Sequence, residues 1–232
     1  MPEFITIDGP DGPFRAFVAR PEATTPRPVV LVLQEILGVN ANMREVAEAF
    51  ATQGYIGLAP DLFWRFEPGF ESEGDDPAEW EKALGFYGAY DIDQGVADVQ
   101  AAVATARTLP GADGKVAVMG YCLGGLMSFL TAARTEVDAA VAYYGGGTER
   151  FVAEAASLRA PFLTHLAEAD EYIDAAARAK IQDALSRRPN AEVHTYPGRN
   201  HAFARHRGAH FHAADAALAD SRTAEFLARH LR

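Results

Sequence analysis

Apolar residues in this chain gather in short continuous runs. "VVLVLQ" (29–34), "YIGLAP" (55–60), "KVAVMGY" (115–121), "AAVAYYG" (139–145), "PFLTHLA" (161–167) and "AEVHTYP" (191–197) are each rich in β-formers. Runs of this kind suit strands buried on both faces, as in a parallel sheet. Upstream, "FITI" (4–7) and "FRAFVA" (14–19) flank "DGPDGP", a Gly/Pro/Asp cluster that predicts a hairpin. Helical periodicity occupies 41–53, 93–108, 124–134, 172–187 and 215–231. The alternation predicts an α/β fold: a mostly parallel sheet of about eight strands, opened by an antiparallel hairpin, with helices on both faces. The stretch 61–80, "DLFWRFEPGFESEGDDPAEW", fits neither period. Long, acidic and aromatic, it reads as a lid or binding loop. No repeat or linker divides the chain, so residues 1–232 read as one domain.

Composition narrows the setting. Hydrophobic residues make up 49% of the chain, which excludes disorder. No apolar run approaches the roughly 20 residues of a bilayer span. The start, "MPEFITIDGP", shows no secretory signal, and a lone cysteine forms no intrachain disulfide, so a cytoplasmic protein is expected. A net charge of −11 speaks against nucleic-acid and anionic membrane partners. The Arg/His-rich "GRNHAFARHRGAHFH" would let that end take anionic small molecules through local charge.

In an open parallel sheet, ligands gather outside the carboxyl ends of the strands. The lone cysteine falls at such an end, in "GYCLGG". It fits Gly-x-nucleophile-x-Gly, with Gly120 and Gly124 as the small residues that a sharp strand-to-helix turn needs around Cys122. The first turn of the following helix favours thiolate. A lone cysteine is ordinarily a small buried hydrophobe; strand, elbow and helix together favour a nucleophile. A nucleophile of this kind needs a base, and the base an orienting acid. Asp170 in "THLAEAD" and His201 in "YPGRNHAF" follow in the chain order of this elbow. Glu168 and Asp174 compete for the acid, His194 and His206 for the base. His165 and His194 lie inside predicted strands and read as packed or edge residues. His206 and His210 share an i, i+4 spacing, but no carboxylate or thiolate completes a ligand set. No metal is expected there, only a solvated Arg/His-rich surface.

"QEILGVN", "GYCLGG", the Asp170 region, "NHAFAR" and "YDIDQGVADVQAAV" together resemble the dienelactone hydrolase family of the α/β-hydrolase superfamily, over nearly the whole chain. The resemblance implies a carboxymethylenebutenolidase-like hydrolase of carboxylic esters or lactones, without cofactor. It implies a Cys122–His201–Asp170 triad and a thioester acyl-enzyme. Glu35 in "LQEILG" would restrain the resting thiol until substrate displaces it. The backbone N–H groups of Leu123 and Ile36 would hold the oxyanion. Arg205 and Tyr144 would bind substrate, with Arg205 gripping a carboxylate. Trp64, Phe66, Trp80 and Tyr87 read as pocket wall or as ordinary core. Two departures stand out. Trp80, Glu81 and Lys82 occupy the place of a second carboxylate-binding arginine, and Ala202 follows the histidine where dienelactone-cleaving members carry serine. These favour a different ester or lactone, or a broad esterase or thioesterase on the same residues. A non-catalytic small-molecule binding protein is the alternative of another class.

Overall fold

The "DGPDGP" cluster closes a tight hairpin between β1 (Glu3–Gly9) and β2 (Gly12–Ala19), with Gly9 opposite Gly12. Gly12 sits at φ 142°, which a side chain rarely tolerates. The structure, a computed structural model, describes residues 3–231. It divides into two compact units whose boundary falls between Val116 and Ala117, inside β5 (Ala112–Tyr121).

In the first unit the strand order is β1-β2-β4-β3. Strand β4 (Ile56–Pro60) pairs antiparallel with β2 and parallel with β3 (Arg27–Leu33). Every residue from Pro28 to Leu33 is buried, which is why that run is continuously apolar. Helix α1 (Ala41–Thr52) starts at Asn40, whose side chain accepts from the Met43 N–H at 3.2 Å. It lies close on β4, since a Cβ on Gly57 would meet the Ala47 carbonyl oxygen at 2.2 Å.

The stretch 61–80 departs from its expectation. Its last residues belong to a helix, α2 (Pro77–Ala89), capped by Asp76 with Pro77 at its first position. Only Ala83 of α2 is buried, so no apolar stripe announces it. The upstream aromatics are packed. Phe63 and Phe70 are buried and meet the ring of Phe86 on α2, and Phe66 stacks on the same ring. Lys82 pairs with Glu67 and lies over Phe70 and Phe86. Trp64 stacks on Phe14 and donates to the buried Asp98 of α3 (Ile92–Thr108) at 2.9 Å.

In the second unit, β5, β6 (Ala139–Tyr143), β7 (Phe162–Ala167) and β8 (Ala191–Tyr196) run parallel in that order. Helix α4 (Leu123–Arg134) leaves β5 after one residue and is buried from Leu123 to Ala132, consistent with its apolar sequence. Helices α5 (Ala175–Ser186) and α6 (Ala213–Leu231) complete the unit with two short 3-10 turns. Part of this core is polar. His165 on β7, wholly buried, bonds Tyr196 Oη at 2.8 Å and Thr223 Oγ1 at 3.0 Å. Tyr143 reaches the same Thr223 hydroxyl at 2.7 Å and donates to Asp220 at 3.1 Å.

Candidate active site

Parallel strands put the loops after β5, β7 and β8 at one edge, and each loop carries one predicted residue. Cys122 is the single residue between β5 and α4 and holds φ 54°, ψ −113°. Three non-glycine residues have positive φ among the described residues: Cys122, Tyr144 at 38° and Ala202 at 59°. Such angles cost on the order of 1–3 kcal/mol each and persist where the surroundings impose them. Here the Cys122 N–H donates to the Tyr143 carbonyl at 3.0 Å, and the Cys122 carbonyl accepts from Gly125 and Leu126. The glycines are required by contact. A Cβ on Gly120 would stand 2.3 Å from the Gly124 carbonyl oxygen, and one on Gly125 would stand 2.6 Å from that of Tyr143. Leu123 opens α4, so its N–H is among the first-turn donors with no intrahelical partner.

Asp170 and His201 come together. His201 Nδ1 lies 2.9 Å from Asp170 Oδ2 and 3.1 Å from Oδ1. Oδ1 also accepts from the Tyr172 N–H at 2.9 Å and the Ile173 N–H at 3.1 Å. Those two bonds hold 172 and 173 out of the helix expected to begin there, and α5 starts only after its cap, Asp174. Tyr144 and Tyr172 flank the imidazole edge-on, both with ring centroids 4.9 Å away. Nε2 is buried, and Cys122 acts on the ring through both charge and hydrogen bonding. Burial alone would lower the His201 pKa. The charge interaction with Cys122 and the hydrogen bonds to Asp170 and Cys122 outweigh it and lift the pKa to about 10. A proton on this ring is therefore favoured beside the cysteine sulfur.

The remaining predicted residues divide between the units. Glu35 and Ile36 lie just beyond the end of β3 in the first unit, both buried. Tyr144 directly follows β6 and is buried, its N–H donating to the His165 carbonyl at 2.8 Å. Arg205 is half-buried in the turns after His201, and its positive charge acts on the Tyr172 phenol. Burial, then Glu171, Cys122 and Asp170, nevertheless raise the Tyr172 pKa.

The competitors have other partners. Glu168 accepts from the Gly198 N–H at 2.8 Å, Asp174 caps α5, and His194 is half-buried on β8. His206 lies 3.7 Å from Asp220. Sequence reasoning left Glu171, Tyr172 and His210 without roles beside His201. Glu171 accepts the His201 N–H at 3.1 Å, and His210 Nδ1 lies 3.0 Å from the His201 carbonyl oxygen. His210 is thus bound to the loop that carries His201 rather than simply solvated. No local pattern signals this, because residues 171 and 210 meet only through the fold.

Strand order, elbow and the Asp–His pair after successive strands define an α/β-hydrolase. Residues 14–231 match the dienelactone hydrolase family. A carboxymethylenebutenolidase of Pseudomonas putida is 40% identical, covering 98% of this chain and 97% of its own. Carboxymethylenebutenolidase 1 of Cupriavidus pinatubonensis is 37% identical over 94% of this chain and 92% of its own. A solved Klebsiella pneumoniae structure, provisionally named a dienelactone hydrolase, superposes with a TM-score of 0.86 at 28% identity, over 99% of this chain and 98% of that one. The chain belongs to the dienelactone hydrolase family and is a hydrolase of ester and lactone bonds. No helix among the described residues is long and apolar enough to cross a membrane.

Proposed function

We propose that this chain is a cytoplasmic, single-domain hydrolase that opens carboxylic esters or lactones through a Cys122–His201–Asp170 triad. The observation that carries this reading is Cys122 held at φ 54° at the head of α4, in the charge field of a histidine bonded to a buried carboxylate. Cys122 Sγ attacks the carbonyl carbon as thiolate. The C–O bond to the leaving oxygen breaks, and His201 delivers its proton there. His201 then takes a proton from water, which attacks the thioester, releases the acid and regenerates the thiol. The Leu123 and Ile36 N–H groups serve as oxyanion donors, and Glu35 restrains the resting thiol, as the family resemblance implies.

Arg205 suits a carboxylate-bearing substrate, assisted by Tyr144 as a wall. The stretch Trp80–Glu81–Lys82 offers no arginine where the resemblance implies a second carboxylate-binding one, and Ala202 stands where dienelactone-cleaving relatives have serine. These departures favour an ester or lactone other than the dienelactone itself. They also favour a second reading, a broader esterase or thioesterase on the same triad. Replacing Cys122 by Ala tests the mechanism. Hydrolysis of an activated aryl ester is expected to fall to background in folded protein, and retained turnover would refute the triad.

A further inference from the structure

We propose that Glu171 and His210 are positioning residues that clamp the main chain of His201 from both sides and so hold its imidazole on Asp170. The inference rests on reading His201 as the catalytic base. Glu171 Oε2 accepts the His201 N–H at 3.1 Å. His210 Nδ1 stands 3.0 Å from the His201 carbonyl oxygen and 3.5 Å from Glu171 Oε1. Both atoms facing Nδ1 are acceptors, so this nitrogen carries the proton and donates. The two polar groups of the His201 backbone are thereby fixed by two side chains that also meet each other.

The need for such a clamp is local. His201 precedes Ala202 at φ 59°, in a run of turns that lies outside the strands. A left-handed alanine relaxes unless its neighbours prevent it. Asp170 grips the ring and the adjacent Glu171 grips the backbone, so one dipeptide sets ring and main chain together. Three neighbouring groups have separate partners: Arg199 and His212 face Asp215, and His206 faces Asp220. The side chains of His210 and Glu171 are 44% and 40% exposed, so their contact with each other contributes little by itself. Their effect lies in where they hold the base, and small misplacements of a catalytic group cost rate rather than binding.

The test measures kcat, KM and thermal midpoint on an aryl ester for Glu171→Ala, Glu171→Gln, His210→Ala and His210→Asn, beside His201→Ala. Glu171→Ala is expected to lower kcat about tenfold with KM within about twofold. Glu171→Gln, whose amide oxygen still accepts the His201 N–H, recovers most of that loss. His210→Asn, which keeps a donor, recovers what His210→Ala loses. In proton NMR, the His201 Nδ1–H signal shifts or broadens in Glu171→Ala and returns in Glu171→Gln. Wild-type kcat in both alanine variants, while His201→Ala is dead, overturns the clamp alone. Equal losses in Ala and Gln, or in Ala and Asn, also overturn it. Activity in His201→Ala would instead overturn the assignment of the base.

Discussion

Both carboxylate oxygens of Asp170 lie within hydrogen-bond distance of one nitrogen, His201 Nδ1, at 2.9 and 3.1 Å. A carboxylate only accepts, so Nδ1 bears the proton, which in the proposed triad leaves Nε2 to exchange one with Cys122. An amide in that place offers a donor to a donor and favours the wrong tautomer. Asp170→Asn is expected to lower kcat by about 10²–10⁴ with little change in circular dichroism. A loss under about threefold would remove Asp170 from the triad.

Two buried histidines give opposite pH signatures. His201, raised to about 10, holds its proton more tightly folded than unfolded, where the value is about 6.5. Its contribution to stability is complete below about 6.5 and disappears as pH climbs through about 10. His165 is pushed well below the usual value by burial first, then by His194 and Arg222. The unfolded chain takes up that proton first on acidification, so this contribution is complete above about 6.5 and shrinks below it. Urea midpoints followed across pH should lose their alkaline fall in His201→Gln and their acid fall in His165→Gln. Curves parallel to wild type would contradict both assignments.

The elbow glycines make a packing prediction. Gly120→Ala puts a methyl 2.3 Å from a backbone oxygen and should cost about 3 kcal/mol, roughly 6–12 °C in Tm for a chain of this size. Gly85 lies inside the exposed helix α2, where an added methyl would meet nothing within 4 Å. Gly85→Ala should stabilise by about 0.5–1 kcal/mol. A tolerated Gly120→Ala would mean the turn opens more easily than its contacts imply.

The strands were legible because each is a short apolar run, and the elbow because Gly120, Cys122 and Gly124 carry their constraint within a few consecutive residues. Asp170 and His201 could be picked out by chain order and by their place after β7 and β8. Helix α2 was hidden, since it buries only Ala83 and leaves no stripe to read. The i, i+4 spacing of His206 and His210 raises a metal site, set aside in favour of a solvated surface. The segment folds as turns, and the two rings find different partners, Asp220 and Glu171. Contacts between residues distant in sequence, such as Glu171 with His201, leave no trace in periodicity.

Arg205 should decide acyl-group preference. With matched aryl esters bearing or lacking a carboxylate, Arg205→Ala is expected to raise KM for the carboxylate series about tenfold or more. Neutral esters should change little. Equal effects on both series would make Arg205 a structural residue.

A working triad passes the acyl group through Cys122, and the chain's single cysteine makes that transfer directly measurable. Rapid acid quench during turnover of a slow aryl ester, followed by intact mass and peptide mapping, should show one acyl group on the peptide containing Cys122. The adduct should be absent in Cys122→Ala. Steady turnover with no adduct on Cys122, or with the acyl group on another residue, would contradict the cysteine mechanism.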